Sequence, residues 1–293
     1  MQINICMILR KIGGVSDVML DALHSQFQDK FLYNFNSIRH STDWSEKTYR
    51  ESILQNKHVL CVETPLIGRK LFNENSHNSY FRIGLNIVST FFERNFFIPP
   101  DPGSSRLQEI LTNTNTTLQP WRKNGEHIVY AMQVPHDSSL LGLDVFAAAQ
   151  YDLIMLRKLT NRPIFVSLHP DIASGWGKGE FEKNKMHYNA FLRTVDFTRS
   201  NIATVPTSNL FNDAWCTVCH TSGTAFDSIA AGIPVITLHE RSFLREISSS
   251  SHYDIESPKM IDIIPWLSKI AYCQWTIDEV NSGLFKSHVE KFI

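Results

Sequence analysis

Thr217 to Leu238, TVCHTSGTAFDSIAAGIPVITL, sets an imidazole, three hydroxyls and a carboxylate around a small-residue turn. An apolar run ends at His220, and helical spacing begins beyond Thr221, Ser222 and Gly223, before Gly232-Ile233-Pro234 leads into a second apolar run. Strand, turn, helix, turn, strand is the outline of an anion site. The first N–H groups of a helix, here near Thr224 to Phe226, lack partners within it, and the helix dipole favours negative charge over them. Asp227, less than a turn further on, is placed to accept hydrogen bonds from sugar hydroxyls. Ser222 and Thr224 serve equally well as helix caps.

Two more polar loops follow apolar runs. Ile128 to Val134 leads into Pro135-His136-Asp137-Ser138-Ser139, and Ile164 to Leu168 into His169-Pro170. If all three runs are strands of one parallel sheet, their loops gather on its C-terminal edge, where nucleotides lie in such folds. His136, Asp137, Ser138, Ser139, His169, His220, Thr221, Ser222, Gly223, Thr224 and Asp227 then form one set of donor-binding candidates. The proline after His169 keeps that residue extended, so its ring projects from the sheet edge toward a phosphate oxygen. Taken singly, His136 reads equally as a solvated loop residue, and the alternative to the ligand role favoured for His169 is a satisfied histidine beside a turn.

The elements that position these groups alternate. Ile3 to Leu9 reads as a strand, Gly13-Gly14 as a turn, Val18 to Phe27 as a helix, Phe31 to Phe35 as a strand, Trp44 to Gln55 as a helix and His58 to Thr64 as a strand. The pattern loosens from Leu66 to Gln119 and resumes with Ile128 to Val134, a helix over Val145 to Leu159, and Ile164 to Leu168. A helix near Phe181 to Thr194, a short strand at Ala203 to Val205 and a helical turn at Leu210 to Trp215 precede the opening motif. Ile261 to Tyr272 and Ile277 to Phe292 read as closing helices. Alternating strands and helices imply parallel sheets layered with helices, and 293 residues suit two domains. The boundary falls near the NTNTT cluster, giving domains 1–120 and 121–293.

A 43% hydrophobic, 19% charged composition is that of a folded chain rather than a disordered one, and a net charge of -1 supplies no global basic field for nucleic acid. No apolar run reaches membrane-spanning length and no signal-like N-terminus is visible, so a cytoplasmic protein is expected. The five cysteines lie mostly in apolar runs, as reduced buried thiols do. Cys216-Thr217-Val218-Cys219-His220 matches the spacing of a haem attachment site, but its place on a buried strand favours structural thiols. No Asp-x-Asp pair marks a metal site, so none is expected.

Residues 222–236, SGTAFDSIAAGIPVI, resemble the nucleotide-sugar motif of two-Rossmann-domain (GT-B) glycosyltransferases, with Asp227 where that family more often has Glu. His169-Pro170 with Thr221-Ser222 is similar to the His-Pro and Ser/Thr pairs with which capsule-type sialyl- and Kdo-transferases hold the donor's phosphate. Residues 120–135, PWRKNGEHIVYAMQVP, resemble a segment of phage-encoded glycosyltransferase-like proteins. The resemblance covers about residues 120–240. It implies an α/β chain of two Rossmann-like domains with parallel sheets facing a cleft. The C-terminal domain would hold a nucleotide-sugar, UDP-linked or else CMP- or GDP-linked, with Asp227 on the ribose, and the N-terminal domain the acceptor.

Hydroxyl attack on an anomeric carbon needs a base at the acceptor and cations or N–H dipoles at the leaving phosphate. Asp17, Glu63 and Asp101 are the candidate bases, and Arg10, Lys11, Arg69 and Arg82 candidate contacts for an anionic group. The segment at 120–135 points to transfer onto hydroxylated or hydroxymethylated pyrimidines of phage DNA, a modified cytosine or uracil, in the host cytoplasm. Capsule or lipopolysaccharide transfer uses the same donor half and needs no basic face. A UDP-sugar 2-epimerase and a non-catalytic nucleotide- or glycan-binding module are the alternatives of other classes.

Overall fold

A computed structural model describes residues 3–5, 15–27, 58–74, 76–85, 96–133, 138–140, 142–167, 200–203 and 207–292. The chain divides into two compact units, Met1–Thr116 with Asp262–Ile293, and Thr117–Ile261.

In the first unit, β1 (Ile3–Ile5) pairs in parallel with β2 (His58–Glu63), and β3 (Tyr80–Leu85) runs antiparallel to β2. Helix α1 (Val15–Phe27) buries Met19, Ala22, Leu23 and Phe27 at helical spacing in one cluster with Leu60, Val62, Phe81 and Ile83. Helix α2 (Arg69–Asn73) is short, and α3 (Ser105–Asn113) buries Arg106, Leu107 and Ile110. The expected strand at 31–35 and helix at 44–55 lie outside the described residues, as do Arg10, Lys11, Gly13 and Gly14.

The first sheet corrects two expectations. It is mixed, in the order β1-β2-β3 followed at the edge by β9 (Gln274–Thr276). The chain also returns to it after residue 261, so the closing segment belongs with the first unit and not with residues 121–261. The cause is this three-residue strand, β9, which joins the sheet edge by pairing antiparallel with β3. The Gln274 amide fastens it, with Oε1 accepting from Leu66 N at 2.6 Å and Ile67 N at 2.7 Å. Around β9 stand α6 (Ile264–Ala271), α7 (Ile277–Asn281) and α8 (Leu284–Val289), the last two parted at Gly283.

Arg106 is the polar tie of this unit. It lies 4.1 Å over the Trp275 ring, its Nη1 is 2.7 Å from Glu279 Oε1, and its Nε and Nη2 donate to the carbonyls of Ala271 and Gln274 at 3.0 and 2.5 Å. Glu279 in turn accepts from Thr276 N in the capping box of α7. Arg106→Met is expected to lower stability by about 3 kcal/mol, because it strands two carbonyls and removes the cation facing a half-buried carboxylate. Arg106→Lys should restore part of that, since an ammonium cannot reproduce the fork. Urea unfolding of the two variants checks the order.

The second unit carries the five-stranded sheet β6-β5-β4-β7-β8, parallel throughout. Its strands are β4 (His127–Ala131), β5 (Ile164–Ser167), β6 (Ser200–Ala203), β7 (Ala214–Cys219) and β8 (Val235–Thr237), with α4 (Val145–Leu159) and α5 (Thr224–Ala230) between them. All six residues of β7 are buried, as the sequence reading of a covered strand requires. Trp215 belongs to this strand and not to a helical turn; a 3₁₀ turn at Thr207–Leu210 takes that place. Cys216 and Cys219 are buried free thiols, and desolvation raises both, Cys219 to about 12, which leaves them unreactive. No helix among the described residues is long and apolar enough to cross a membrane.

Candidate functional site

The strand order fixes where a ligand can sit. From β4 the chain steps outward to β5 and β6, then returns to the other side of β4 for β7 and β8. Strand order therefore reverses between β4 and β7, and the crevice at their C-terminal ends is the place where open α/β sheets take ligands.

Three polar side chains close on one another across that reversal. Gln133, just past β4, donates from Nε2 to Ser139 Oγ at 2.9 Å and to Thr221 Oγ1 at 2.6 Å, and its Oε1 accepts from Thr221 N at 3.1 Å. Ser139 Oγ and Thr221 Oγ1 lie 2.5 Å apart. Ser139 belongs to a 3₁₀ turn, Ser138–Leu140, and is buried, as is Gln133. His239, past β8, accepts at Nδ1 from Arg241 N at 3.2 Å, and its ring bonds the main chain of Leu140. Burial lowers the His239 pKa, and the neighbouring His220 adds to the effect.

The opening motif folds as its sequence reads, with one correction. The N–H groups expected to be free are engaged locally: Thr224 N donates to Ser222 Oγ at 3.3 Å, Ala225 N to Ser222 O at 3.1 Å and Phe226 N to Gly223 O at 3.0 Å. A tight turn bends these donors back onto its own acceptors. Ser222 is thus a turn-closing group, and α5, of seven residues, is no ready anion cradle. Asp227 is exposed in its first turn. What the motif brings to the crevice is Thr221 and His220.

His220 is 6% exposed and leads to a second cluster. Its Nε2 is 3.2 Å from Oδ2 of Asp152, a carboxylate 3% exposed on the buried side of α4. Tyr130 donates to the same oxygen at 2.7 Å, and His252 Nε2 lies 2.7 Å from Oδ1. Burial raises the Asp152 pKa, but hydrogen bonds from His220, His252 and Tyr130 outweigh it and hold the carboxyl at about 2. Tyr130 is pushed well above its ordinary value by desolvation and by the Asp152 charge.

Of the other expected residues, His136, Asp137 and His169 lie outside the described residues, as does the side chain of Ser138. The three candidate bases stand on separate elements of the first unit. Asp17 is in the first turn of α1, and Asp101 is exposed in the loop before α3. Glu63 ends β2, opposite Arg82 on β3, whose Nη2 is 3.6 Å away. That pairing gives both Glu63 and Arg82 structural work. Sequence reasoning missed Gln133, Asp152, His239 and His252. The legible signals were a charge at a core-spaced position of α4 and an amide ending the β4 apolar run.

A concavity of about 600 Å³, lined by Glu126, Arg157, Lys158, Thr160, Arg162 and Glu256, lies at the opposite edge of this sheet, on the loops entering β4 and β5. Its charges are partly spent on one another, with Arg162 Nε 3.1 Å from Glu256 Oε2.

The backbone is similar to two transferase structures of Thermosulfurimonas dismutans KpsC. A likeness to its beta Kdo 2,7 transferase covers 98% of this chain and 99% of that one, at TM-score 0.50 and 14% identity. With its beta Kdo 2,4 transferase the shares are 90% and 94%, the TM-score 0.52 and the identity 12%. The fold is of the GT-B type. Methanocaldococcus jannaschii UDP-GlcNAc 2-epimerase also matches, over 83% of this chain and 85% of that one, at TM-score 0.31 and 9% identity. No protein-family model matches the sequence, and no curated protein is recognisably similar to it. GT-B architecture agrees with the α/β, Rossmann-like expectation; its parallel sheet is the one in the second unit.

Proposed function

We propose that this chain is a glycosyltransferase that binds a nucleotide-sugar at the switch point of its parallel sheet and passes the sugar to a glycan hydroxyl. The observation that carries the reading is the Gln133, Ser139 and Thr221 cluster, which ties the ends of β4 and β7 together where the strand order reverses. Hydroxyls preorganised by an amide can turn toward phosphate or sugar oxygens without reorganising the backbone. A glycan acceptor is favoured over a DNA base. The two KpsC structures are named for Kdo transfer, and a net charge of -1 gives duplex DNA no attraction. UDP is the expected nucleotide, with CMP and GDP next. Asp17, Glu63 and Asp101 are the candidates for the base, to be assigned by loss of kcat at unchanged donor affinity.

A thermal-shift panel of UDP, CMP, GDP and dTDP tests the donor. A ligand at one hundred times its Kd stabilises the state that binds it by about 2.7 kcal/mol, so one of the four should raise the midpoint by several degrees. Asp227→Ala is expected to weaken that nucleotide ~10-fold, the worth of one charge-assisted hydrogen bond. Its exposure makes loss of folding stability small. Equal loss of folding would return Asp227 to a structural role. Transfer to hydroxymethylated duplex with none to oligosaccharide would reverse the choice of acceptor.

A further inference from the structure

Asp152 gathers three donors inside the second unit, and its charge decides which nitrogen of His220 carries a proton. An ionised carboxylate only accepts hydrogen bonds. The nitrogens facing it, Nε2 of His220 at 3.2 Å and Nε2 of His252 at 2.7 Å, must therefore both be N–H. When its ring carries a single proton, that proton is therefore on Nε2 and the lone pair on Nδ1, and no hydrogen bond from another described residue reaches that atom. The residue stands immediately before Thr221, at the end of β7 where the Gln133 cluster closes the crevice.

Two other imidazoles among the described residues stand near it in different settings. His239 accepts from Arg241 N at Nδ1, and its ring also bonds the Leu140 main chain. His252 packs edge-on against Tyr151, at 5.8 Å between ring centroids, and Tyr151 is 59% exposed. His252 thus lies between the buried Asp152 carboxylate and an exposed ring of α4. Among the described residues, His220 is the imidazole with an acceptor atom at the end of β7.

We propose that Asp152 is a positioning residue, and that through it His220 presents Nδ1 to accept a hydrogen bond from an O–H or N–H group of the bound nucleotide-sugar. This rests on the nucleotide-sugar reading and assigns His220 to hydroxyl or amino recognition, not to the phosphate. In the neutral ring a phosphate oxygen would face a lone pair and be repelled, whereas a ribose hydroxyl or a base amino group of the nucleotide has the proton that Nδ1 lacks. Asp152 itself touches no ligand; it acts by holding the ring and its tautomer.

Two substitutions separate the ring's two faces. His220→Gln places an amide near the former Nε2, able to donate to Asp152, and removes the acceptor at Nδ1. His220→Asn places a carbonyl near the former Nδ1 and abandons Asp152. Expected by calorimetry with UDP, CMP, GDP and dTDP is that the Gln variant keeps a near-native unfolding midpoint yet binds the preferred nucleotide ~10-fold more weakly. The Asn variant should unfold earlier but bind within ~3-fold of wild type. In parallel, ¹⁵N resonances of the imidazole in ligand-free protein should show His220 protonated at Nε2. Asp152→Asn, which can accept from only one ring through its carbonyl, should force His220 or His252 to the other tautomer. A Gln variant that binds like wild type, an Nδ1-protonated His220, or both rings unchanged in Asp152→Asn overturns the proposal. If none of the four nucleotides binds wild type, the functional reading fails together with the ligand contact, while the tautomer is decided by the resonances alone.

Discussion

Asp152→Ala is expected to destabilise the second unit by about 3 kcal/mol at neutral pH, because Tyr130, His220 and His252 lose their shared, buried acceptor. The native cost of burying this carboxylate is offset by the three hydrogen bonds, so removing it leaves their donors unsatisfied. Part of the effect follows pH in a fixed direction. The Asp152 carboxyl titrates at about 2 in the folded chain against 3.8 in its absence. A depressed carboxylate contributes its stability above the unfolded value and loses it as pH falls through the folded one, and here the amount is about 2 kcal/mol. The gap between wild type and Asp152→Ala should therefore narrow as pH falls below about 4. Hydrogen exchange at β4 and β7 amides reads the second unit by itself, which a single denaturation midpoint of a two-unit chain does not. A gap that stays constant down to pH 3, or a variant with unaltered protection, would mean that the carboxylate is not paired as described.

Gly232→Ala is expected to cost about 3 kcal/mol or more, and to do so without touching any polar site residue. Gly232 has φ +72 and follows the last turn of α5. Ile233 N donates to Ser228 O and Gly232 N to Ile229 O, each at 2.9 Å, the paired bonds of a Schellman end. A left-handed alanine alone costs about 1 to 2 kcal/mol. The added Cβ would also fall on the Pro120 carbonyl oxygen. That segment cannot easily retreat, because Gln119 N donates to Ala230 O at 2.8 Å and Arg122 N to Gly232 O at 2.7 Å. Gly232→Asn separates the two causes, since asparagine tolerates positive φ but carries the same Cβ. Loss of stability in both variants assigns the effect to the close approach of Pro120; rescue by asparagine would assign it to the dihedral.

Much of the second unit was legible because each of its signals is local. The period changes from strand to helix at Ser222-Gly223, Gly232 and Pro234 punctuate the return to strand, and α4 keeps one apolar stripe from Val145 to Leu159, the span in which it is found. The first unit was harder because its decisive element is not local. Gln274-Trp275-Thr276 is too short for periodicity to register between two helical patterns, yet it joins β3 and draws residues 262–293 away from the chain that precedes them. The site divides along the same line. Ser139, His220 and Thr221 stand at strand ends that the pattern locates, whereas Gln133 and Asp152 look like an amide within a strand run and a stray charge until folding gives them partners 88 and 100 residues away. The engaged N–H groups of Thr224 to Phe226 were illegible for another reason: whether a turn closes on itself depends on dihedrals, not on residue type.

Amide chemical-shift mapping on the ¹⁵N-labelled full chain with UDP, CMP, GDP and dTDP is the most direct test of a nucleotide-sugar site at the β4/β7 switch point. One nucleotide should shift the amides of Gln133, Ser139, His220 and Thr221, and Thr221→Val should weaken it without moving the β-sheet resonances. No shift with any of the four, or shifts confined to the loops around Arg157, Arg162 and Glu256 at the opposite edge of the sheet, would contradict it.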